Sequence, residues 1–285
     1  MTFKAAAVQM CSGVEPQRNA EAMDRLVREA AGHGAIYIQT PEMTGALQRD
    51  RAAMKANLRD EENDVIVRMA SELASELRIY LHVGSTAIGL ADGKMANRGF
   101  LFGPDGGKIS HYDKIHMFDV DLDNGESWRE SSAYTPGATA RLINLPFGKL
   151  GCAICYDIRF PDLFRMQAQA GAEIMSVPAA FTRQTGEAHW AVLLRARAIE
   201  NGMFVIAAAQ AGLHEDGRET YGHSMIIDPW GAVLASAGGT GEGIIVADIN
   251  VAAVAAARGK IPNLKNGRVF SLDEVPLSAA GGVAA

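Results

Sequence analysis

Cysteine is scarce: Cys11, Cys152 and Cys155 are the only three in 285 residues. So small and odd a number does not make a disulfide framework, and it points to a reducing compartment in which a free thiol persists. Cations are in deficit, 27 Lys and Arg against 33 Asp and Glu, and they form no run. A phosphate backbone needs a concentrated positive face, so nucleic acid is not an expected partner. No stretch reaches the roughly 20 apolar residues of a membrane span. The first residues, MTFKAAAVQMCSG, lack the longer apolar region and small-residue cleavage site of an export signal. Together these absences give the expectation of a soluble cytoplasmic protein with no membrane partner. Apolar residues, by contrast, make up 48% of the chain, enough for a large core.

Short β-like runs alternate with helical patterns, which predicts a layered α/β or α+β architecture. Strands are expected at 4–10, 35–39 and 79–85, with helices at 16–32 and from a cap at Asn63 or Asp64 to about Arg78. The second half reads as strand 150–154, helix 161–170, strand 173–178, helix 188–201 and strand 203–210. Two further segments, 98–114 and 222–238, each place extended runs around a Gly/Pro/Asp turn and read as hairpins. Because each hairpin follows strand and helix patterns, the two halves suggest a duplicated sandwich. GIIVADI (243–249) and a short Ala-rich helix follow. No linker divides the chain, so one domain over 1–275 is expected, with 276–285 as a flexible tail.

Cys155, in GCAICYDIRFPDLFR (151–165), stands at the carboxyl end of a predicted strand, the edge at which open α/β sheets bind ligands. It is either a nucleophile, its thiolate stabilised by the amides of the following turn, or a small buried hydrophobe. Cys152 reads as core. A nucleophilic thiol needs a base and a stabiliser for the oxyanion it creates. Five histidines, His111, His116, His189, His214 and His223, are candidate bases, although nothing links any of them to Cys155. Glu42 also follows a strand end, behind Pro41. In an apolar cleft its pKa would rise and it would shuttle protons near neutrality; otherwise it is a solvated loop acid. Lys114 ends the first hairpin and suits an oxyanion, or is a surface lysine. Glu130 lies in an irregular stretch, 117–137, long enough to be functional or disordered, and it either orients Lys114 or is a surface charge.

TPEMTG around Glu42, YDKIHMFDVD around Lys114 and GCAICYDIRFPDL around Cys155 together resemble the nitrilase, or carbon-nitrogen hydrolase, superfamily. Their order matches that family's Glu-Lys-Cys triad. The resemblance continues through 178–210 and 221–231, and so covers the chain to about residue 250. It implies a four-layer αββα sandwich and assembly into a homodimer or homotetramer. It also implies nucleophilic Cys155, proton-shuttling Glu42, and Lys114 with the Tyr156 N–H as oxyanion donors, Glu130 fixing the lysine. No cofactor or metal is implied, and the histidines show no ligand spacing.

Cys155-Tyr156-Asp157 followed by Arg159-Phe160-Pro161 departs from the Cys-Trp-Glu of true nitrilases and looks like the Nit amidase branch. The expected substrate is therefore a small-molecule amide. FTRQTGEAHWAVLLRARAIENG and AAAQAGLHEDGRETYGHSMIIDPWG resemble deaminated-glutathione amidases more than omega-amidases. An omega-amidase acting on 2-oxoglutaramate, or a catalytically silent scaffold, are the alternatives. A dicarboxylate-like substrate needs a cation, for which Arg159 and then Arg183 are the candidates. Phe118, Phe181 and Thr182 are candidate cleft residues. Arg195 and Arg197, beside Glu200, read as structural ion pairs.

Overall fold

Along Thr2–Gln9 (β1) the side chains part to two sides, as a strand buried on both faces requires. Phe3, Ala5 and Ala7 join one core, and Ala6 and Val8 join another. The computed structural model describes residues 1–122, 125 and 127–275, so the tail expected at 276–285 lies outside the described residues. The first half continues with Pro16–Gly32 (α1), Tyr37–Gln39 (β2), Arg51–Asn57 (α2), Val65–Leu77 (α3), Tyr80–Gly89 (β3), Met95–Phe102 (β4) and Lys108–Asp113 (β5). Asp119–Asp121 (β6) and Ser127–Arg129 (β7) follow, then Leu142–Leu145 (β8), Gly148–Cys152 (β9), Pro161–Gln169 (α4) and Ile174–Ser176 (β10). The remainder is Arg183–Asn201 (α5), Phe204–Ala207 (β11), Ala211–Leu213 (β12), Glu219–Tyr221 (β13), Met225–Ile227 (β14), Val233–Ser236 (β15), Gly243–Asn250 (β16) and Ala252–Lys260 (α6).

Two six-stranded sheets carry the fold, ordered β16-β1-β2-β3-β4-β5 and β8-β9-β10-β11-β14-β15. In the first, β1, β2 and β3 are parallel, and antiparallel strands complete both ends. In the second, β9, β10 and β11 are parallel with the same antiparallel flanks. The two halves therefore share one pairing pattern, as the paired hairpins suggested.

Helices α1 and α3 cover the outer face of the first sheet through Met23, Leu26, Val27, Ile66, Ala70 and Leu73. Asp64 caps α3, accepting from the N–H groups of Ile66 and Val67. Helices α4 and α5 cover the second sheet through Leu163, Phe164, Trp190 and Leu194. Between the sheets, Phe3, Tyr37 and Tyr112 meet residues such as Ile143, Leu150 and Phe147 in one continuous cluster. The layers are thus α, β, β, α.

Three local features depart from the sequence reading. The stretch 117–137 holds a small hairpin, β6 with β7, and then a helical turn at Glu130–Ser132. Its strands are three residues each, too short for an alternation to register. Helix α5 begins at Arg183, five residues earlier than predicted. Gly186, which lowers the propensity there, is required by packing, because a Cβ would lie 2.3 Å from that of Tyr221. Arg195 donates to the Gly231 carbonyl instead of pairing with Glu200, whereas Arg197 does pair with it at 2.8 Å.

Candidate active site

Parallel strands deliver loops to one edge, and here two such edges face each other. Gln39 ends β2, and Thr40-Pro41-Glu42 turns out of it; Ser176 ends β10, and Val177-Pro178-Ala179-Ala180 turns out of it in the same way. The Glu42 carboxylate reaches across to accept from the Ala180 N–H at 2.8 Å. Cys155 follows β9, and its N–H donates to the Pro178 carbonyl at 2.8 Å. Its φ of 49° is left-handed, as is that of Met43, at 55°, beside Glu42. Side chains other than glycine adopt that region seldom and at a cost of roughly 1–2 kcal/mol. The strain is held by tertiary bonds, including Met43 N–H to Ser85 Oγ at 3.0 Å and Gln210 Nε2 to the Glu42 carbonyl at 3.1 Å.

Lys114 leaves the end of β5 and sits between two carboxylates. Its Nζ is 2.9 Å from Glu42 Oε1, and 3.1 and 2.9 Å from Glu130 Oε1 and Oε2. Glu130 also accepts from the Phe118 N–H at 2.7 Å. Asn97, on β4, donates from Nδ2 to both glutamates, at 2.9 and 3.1 Å. The sequence reading passed over Asn97; its one signal was a polar residue within the otherwise apolar MANRGFLF. Lys114, Glu42 and Cys155 are 2%, 4% and 7% exposed, so their charges interact with little screening by water.

The protonation pattern follows from those contacts. Burial pushes the Glu42 carboxyl up, but the Lys114 charge and hydrogen bonds from Lys114, Cys155 and Asn97 outweigh it and hold the group below its ordinary value. That reverses the raised pKa expected from an apolar cleft, because the cleft contains an ammonium. For Lys114, burial favours the neutral form, but Glu130 and Glu42 raise it well above the usual lysine value. Cys155 moves opposite to expectation: burial and the Glu42 charge raise it well above a normal thiol, against the pull of Lys114. The resting site is therefore carboxylate, ammonium and protonated thiol. Cys152 is buried in the core, its thiol pushed up to about 12.

A buried carboxylate ties the lysine to the cysteine. Asp157 Oδ2 accepts from Tyr112 Oη at 2.8 Å and from the Ile154 N–H at 2.9 Å, while Oδ1 accepts from the His116 N–H at 3.0 Å and lies 2.6 Å from His116 Nδ1. Tyr112 and His116 flank Lys114 by two residues on either side, and Ile154 precedes Cys155. One side chain thus fixes both segments.

The triad opens into a cavity of about 570 Å³. Phe118, Tyr156, Phe181 and Thr182 line it, together with Glu130, Trp128, Tyr134, Arg49 and Arg218. Tyr156 is the second residue of the helical turn Cys155–Arg159, whose first amides have no acceptor within the turn. Arg159 lies behind this wall, its guanidinium 6.0 Å from the Tyr156 ring and 5.7 Å from the Phe181 ring, and its Nη2 donates to His189 at 3.3 Å. Arg183 is brought to a different place, exposed and paired with Glu219 outside the cavity lining. No histidine is among the described residues lining the cavity. His116 stacks on Phe160 at 3.5 Å, His214 contacts Ser12 and Thr220, and His223 contacts the Tyr221 carbonyl.

Comparison with known proteins gives the same assignment from another direction. The family model described as carbon-nitrogen hydrolase matches residues 4–259. A deaminated glutathione amidase of Synechocystis is 37% identical over 277 residues, 94% of this chain and 98% of its own. One from Mus musculus is 39% identical over 268 residues, 92% of this chain and 82% of its own. Among solved structures, Saccharomyces cerevisiae Nit3, described as a member of branch 10 of the nitrilase superfamily, matches with a TM-score of 0.82 at 28% identity, covering 92% of this chain and 94% of that one. With a family match over nearly the whole described length, the chain belongs to the carbon-nitrogen hydrolase family.

Proposed function

We propose that this amidase hydrolyses deaminated glutathione, N-(4-oxoglutaryl)-Cys-Gly, to 2-oxoglutarate and Cys-Gly through a thioester on Cys155. The observation that carries the chemistry is the meeting of Cys155, Glu42 and Lys114 in one buried cavity, with the base already ionised and the thiol still protonated. The substrate rests on the names of the relatives, 37–39% identical over most of the chain.

Glu42 takes the Cys155 proton as sulfur bonds to the amide carbon. Lys114 and the Tyr156 N–H receive the oxyanion. Glu42 then gives its proton to the nitrogen as the C–N bond breaks, leaving the thioester. Water attacks the thioester, losing a proton to Glu42, and the C–S bond breaks as that proton returns to sulfur. Glu130 holds Lys114 toward the carbonyl oxygen. Phe118, Phe181 and Thr182 shape the acyl site, and Arg159, behind the Tyr156 and Phe181 rings, adds positive potential to that wall without lining the cavity. Proton transfer and charge stabilisation both fall to groups of this chain, so the cycle as proposed calls on no metal or cofactor.

Cys155→Ala tests the scheme. It should lower turnover by on the order of 10⁴-fold or more while leaving the melting temperature near that of the wild type; normal turnover refutes the assignment. Released 2-oxoglutarate is followed on deaminated glutathione and on 2-oxoglutaramate. Preference for the second, with ammonia release, would make the chain an omega-amidase, and an acyl adduct on neither would leave a silent scaffold.

We also assign it to the cytoplasm as a homodimer or homotetramer. Among the described residues no helix is long and apolar enough to cross a membrane. Met166 on α4 and Val192 and Ile199 on α5 are exposed on the outer helical layer, which suits a second copy. Light scattering after gel filtration would give a monomer mass if that assignment is wrong.

A further inference from the structure

Two guanidinium groups share one aromatic ring in the cavity wall. Arg218, just before β13, lies 4.5 Å from the centre of the Trp128 ring, and Arg49 lies 5.0 Å from it. Such stacking orients a guanidinium while leaving its N–H edge available. Arg218 is only 16% exposed in its side chain, and its nearest carboxylate oxygen, Asp216 Oδ2, is 3.6 Å away, beyond hydrogen-bond reach. Arg218 Nε and Asp216 Oδ2 are both without a hydrogen-bond partner among the described residues. A buried guanidinium N–H without an acceptor is costly, and truly orphaned ones are rare in native proteins. Burial lowers the Arg218 pKa and the like charge of Arg49 adds to the lowering, while Asp216 and, more weakly, Tyr134 and Glu42 oppose it. Glu42 is already bonded to Lys114, so the loosely placed Asp216 is left against two guanidinium groups, an excess of positive charge at this end of the cavity.

The placement relative to Cys155 gives that excess a meaning. Trp128 continues to Phe118 at 6.4 Å and Phe118 to Tyr156 at 5.2 Å, so an aromatic wall runs from the two arginines to the residue after the nucleophile. Arg159 stands behind the Tyr156 end of the same wall, outside the cavity lining. A ligand whose amide carbonyl sits at Cys155 can lie along this wall with a carboxylate at the arginine pair, both members of which line the cavity.

We propose that Arg218, assisted by Arg49, binds the carboxylate on the leaving-amine side of the substrate, so that the enzyme selects amides whose amine portion is a short peptide ending in a free carboxylate. This rests on the amidase reading above and extends it to the departing half of the molecule. The Tyr156 end of the wall, beside the nucleophile, is left to the acyl half, while the arginine pair at the Trp128 end suits the carboxylate that lies a residue beyond the scissile nitrogen. A guanidinium grips a carboxylate with two parallel N–H bonds, which a neutral carboxamide cannot accept with the same strength.

The test compares deaminated glutathione with the same compound amidated at its glycine carboxylate. In the wild type the ratio of kcat/KM for acid over carboxamide should be about 10–100. In Arg218→Gln it should fall to near one, and Arg218→Lys, which keeps the charge without the fork, should lie between. Thermal melting identifies a variant that has merely lost its fold, in which case Arg49→Gln is read in the same way. A wild-type ratio near one, or an unchanged ratio in Arg218→Gln, overturns the proposal. Should the wild type hydrolyse neither compound, the substrate reading fails, and the carboxylate site is read separately by calorimetry on Cys155→Ala. There the acid must bind more tightly than the carboxamide and lose that advantage when Arg218→Gln is added; equal binding, or none, overturns it.

Discussion

Cys155 and Glu42 hold their protons in opposite senses, and this determines how the nucleophile is made. A preformed thiolate would need the cysteine to be depressed, whereas burial and the adjacent carboxylate raise it. The thiol therefore ionises as it attacks, with Glu42 receiving the proton. We expect no thiolate absorbance assignable to Cys155 at pH 9, where a thiol at its ordinary value of 9.0 would be half ionised. Glu42→Gln removes the negative charge that raises the thiol and should shift its titration downward, while turnover falls because the proton acceptor is gone. Ultraviolet titration against Cys155→Ala measures the thiol and an amidase assay the turnover, and a thiol that titrates near 9 in the wild type would contradict this account. At this scale the sequence was readable where a reactive residue type follows a strand end, as Glu42 and Cys155 do. It was silent on Arg49 and Arg218, which meet at the Trp128 ring that hairpin β6–β7 presents.

Element β3 explains how two loops from different sheets are kept in register. Gly84 sits at an irregularity in the β3–β4 pairing, between Val83 and Thr86. A Cβ there would lie 2.2 Å from the Thr40 carbonyl, 2.5 Å from the Pro41 carbonyl and 2.4 Å from Pro178 Cβ. The strand is thus in contact with both the Glu42 loop and the loop that accepts the Cys155 N–H. Two of those three atoms are backbone and cannot rotate away, so Gly84→Ala should destabilise by about 3 kcal/mol and lower the melting temperature by several degrees. Asp157→Asn acts on the same geometry from the other side. An amide retains one acceptor but turns N–H groups toward either Ile154 and Tyr112 or His116, at roughly 1–3 kcal/mol per unsatisfied donor. Its kcat should fall with little change in KM, since the Lys114 to Cys155 spacing is disturbed while the cavity wall remains; a pure KM effect would argue against a positioning role. None of this is visible along the chain, because a glycine inside a strand and an acid after a cysteine have many uses.

For the whole molecule, matching parallel cores with matching antiparallel flanks make a dry interior between two sheets, and some of what is buried there titrates. The alternation of apolar runs made the layers legible from sequence, since the signal is repeated over many residues; which polar groups would be enclosed was not, because enclosure depends on the opposite sheet. His82 on β3 is the clearest case, 4% exposed with Nδ1 2.8 Å from Tyr37 Oη. Burial holds it neutral and lowers its pKa from 6.5 to about 4. Between those values the unfolded chain takes up a proton that the folded chain refuses, so stability must fall as the pH drops through that window. The shift corresponds to about 3 kcal/mol in full, of which about 2 kcal/mol should be gone by pH 5. Glu42, depressed in the fold, adds loss of the same sign at lower pH as it is protonated, and Asp64, raised by burial, opposes it. Comparing urea midpoints of the wild type and His82→Gln from pH 7 to pH 5 isolates the histidine from both carboxyls. The variant should start less stable at pH 7, having lost the bond to Tyr37, and the two curves should converge as the pH falls; curves that stay parallel would mean that His82 takes up its proton in the fold as readily as in the unfolded chain.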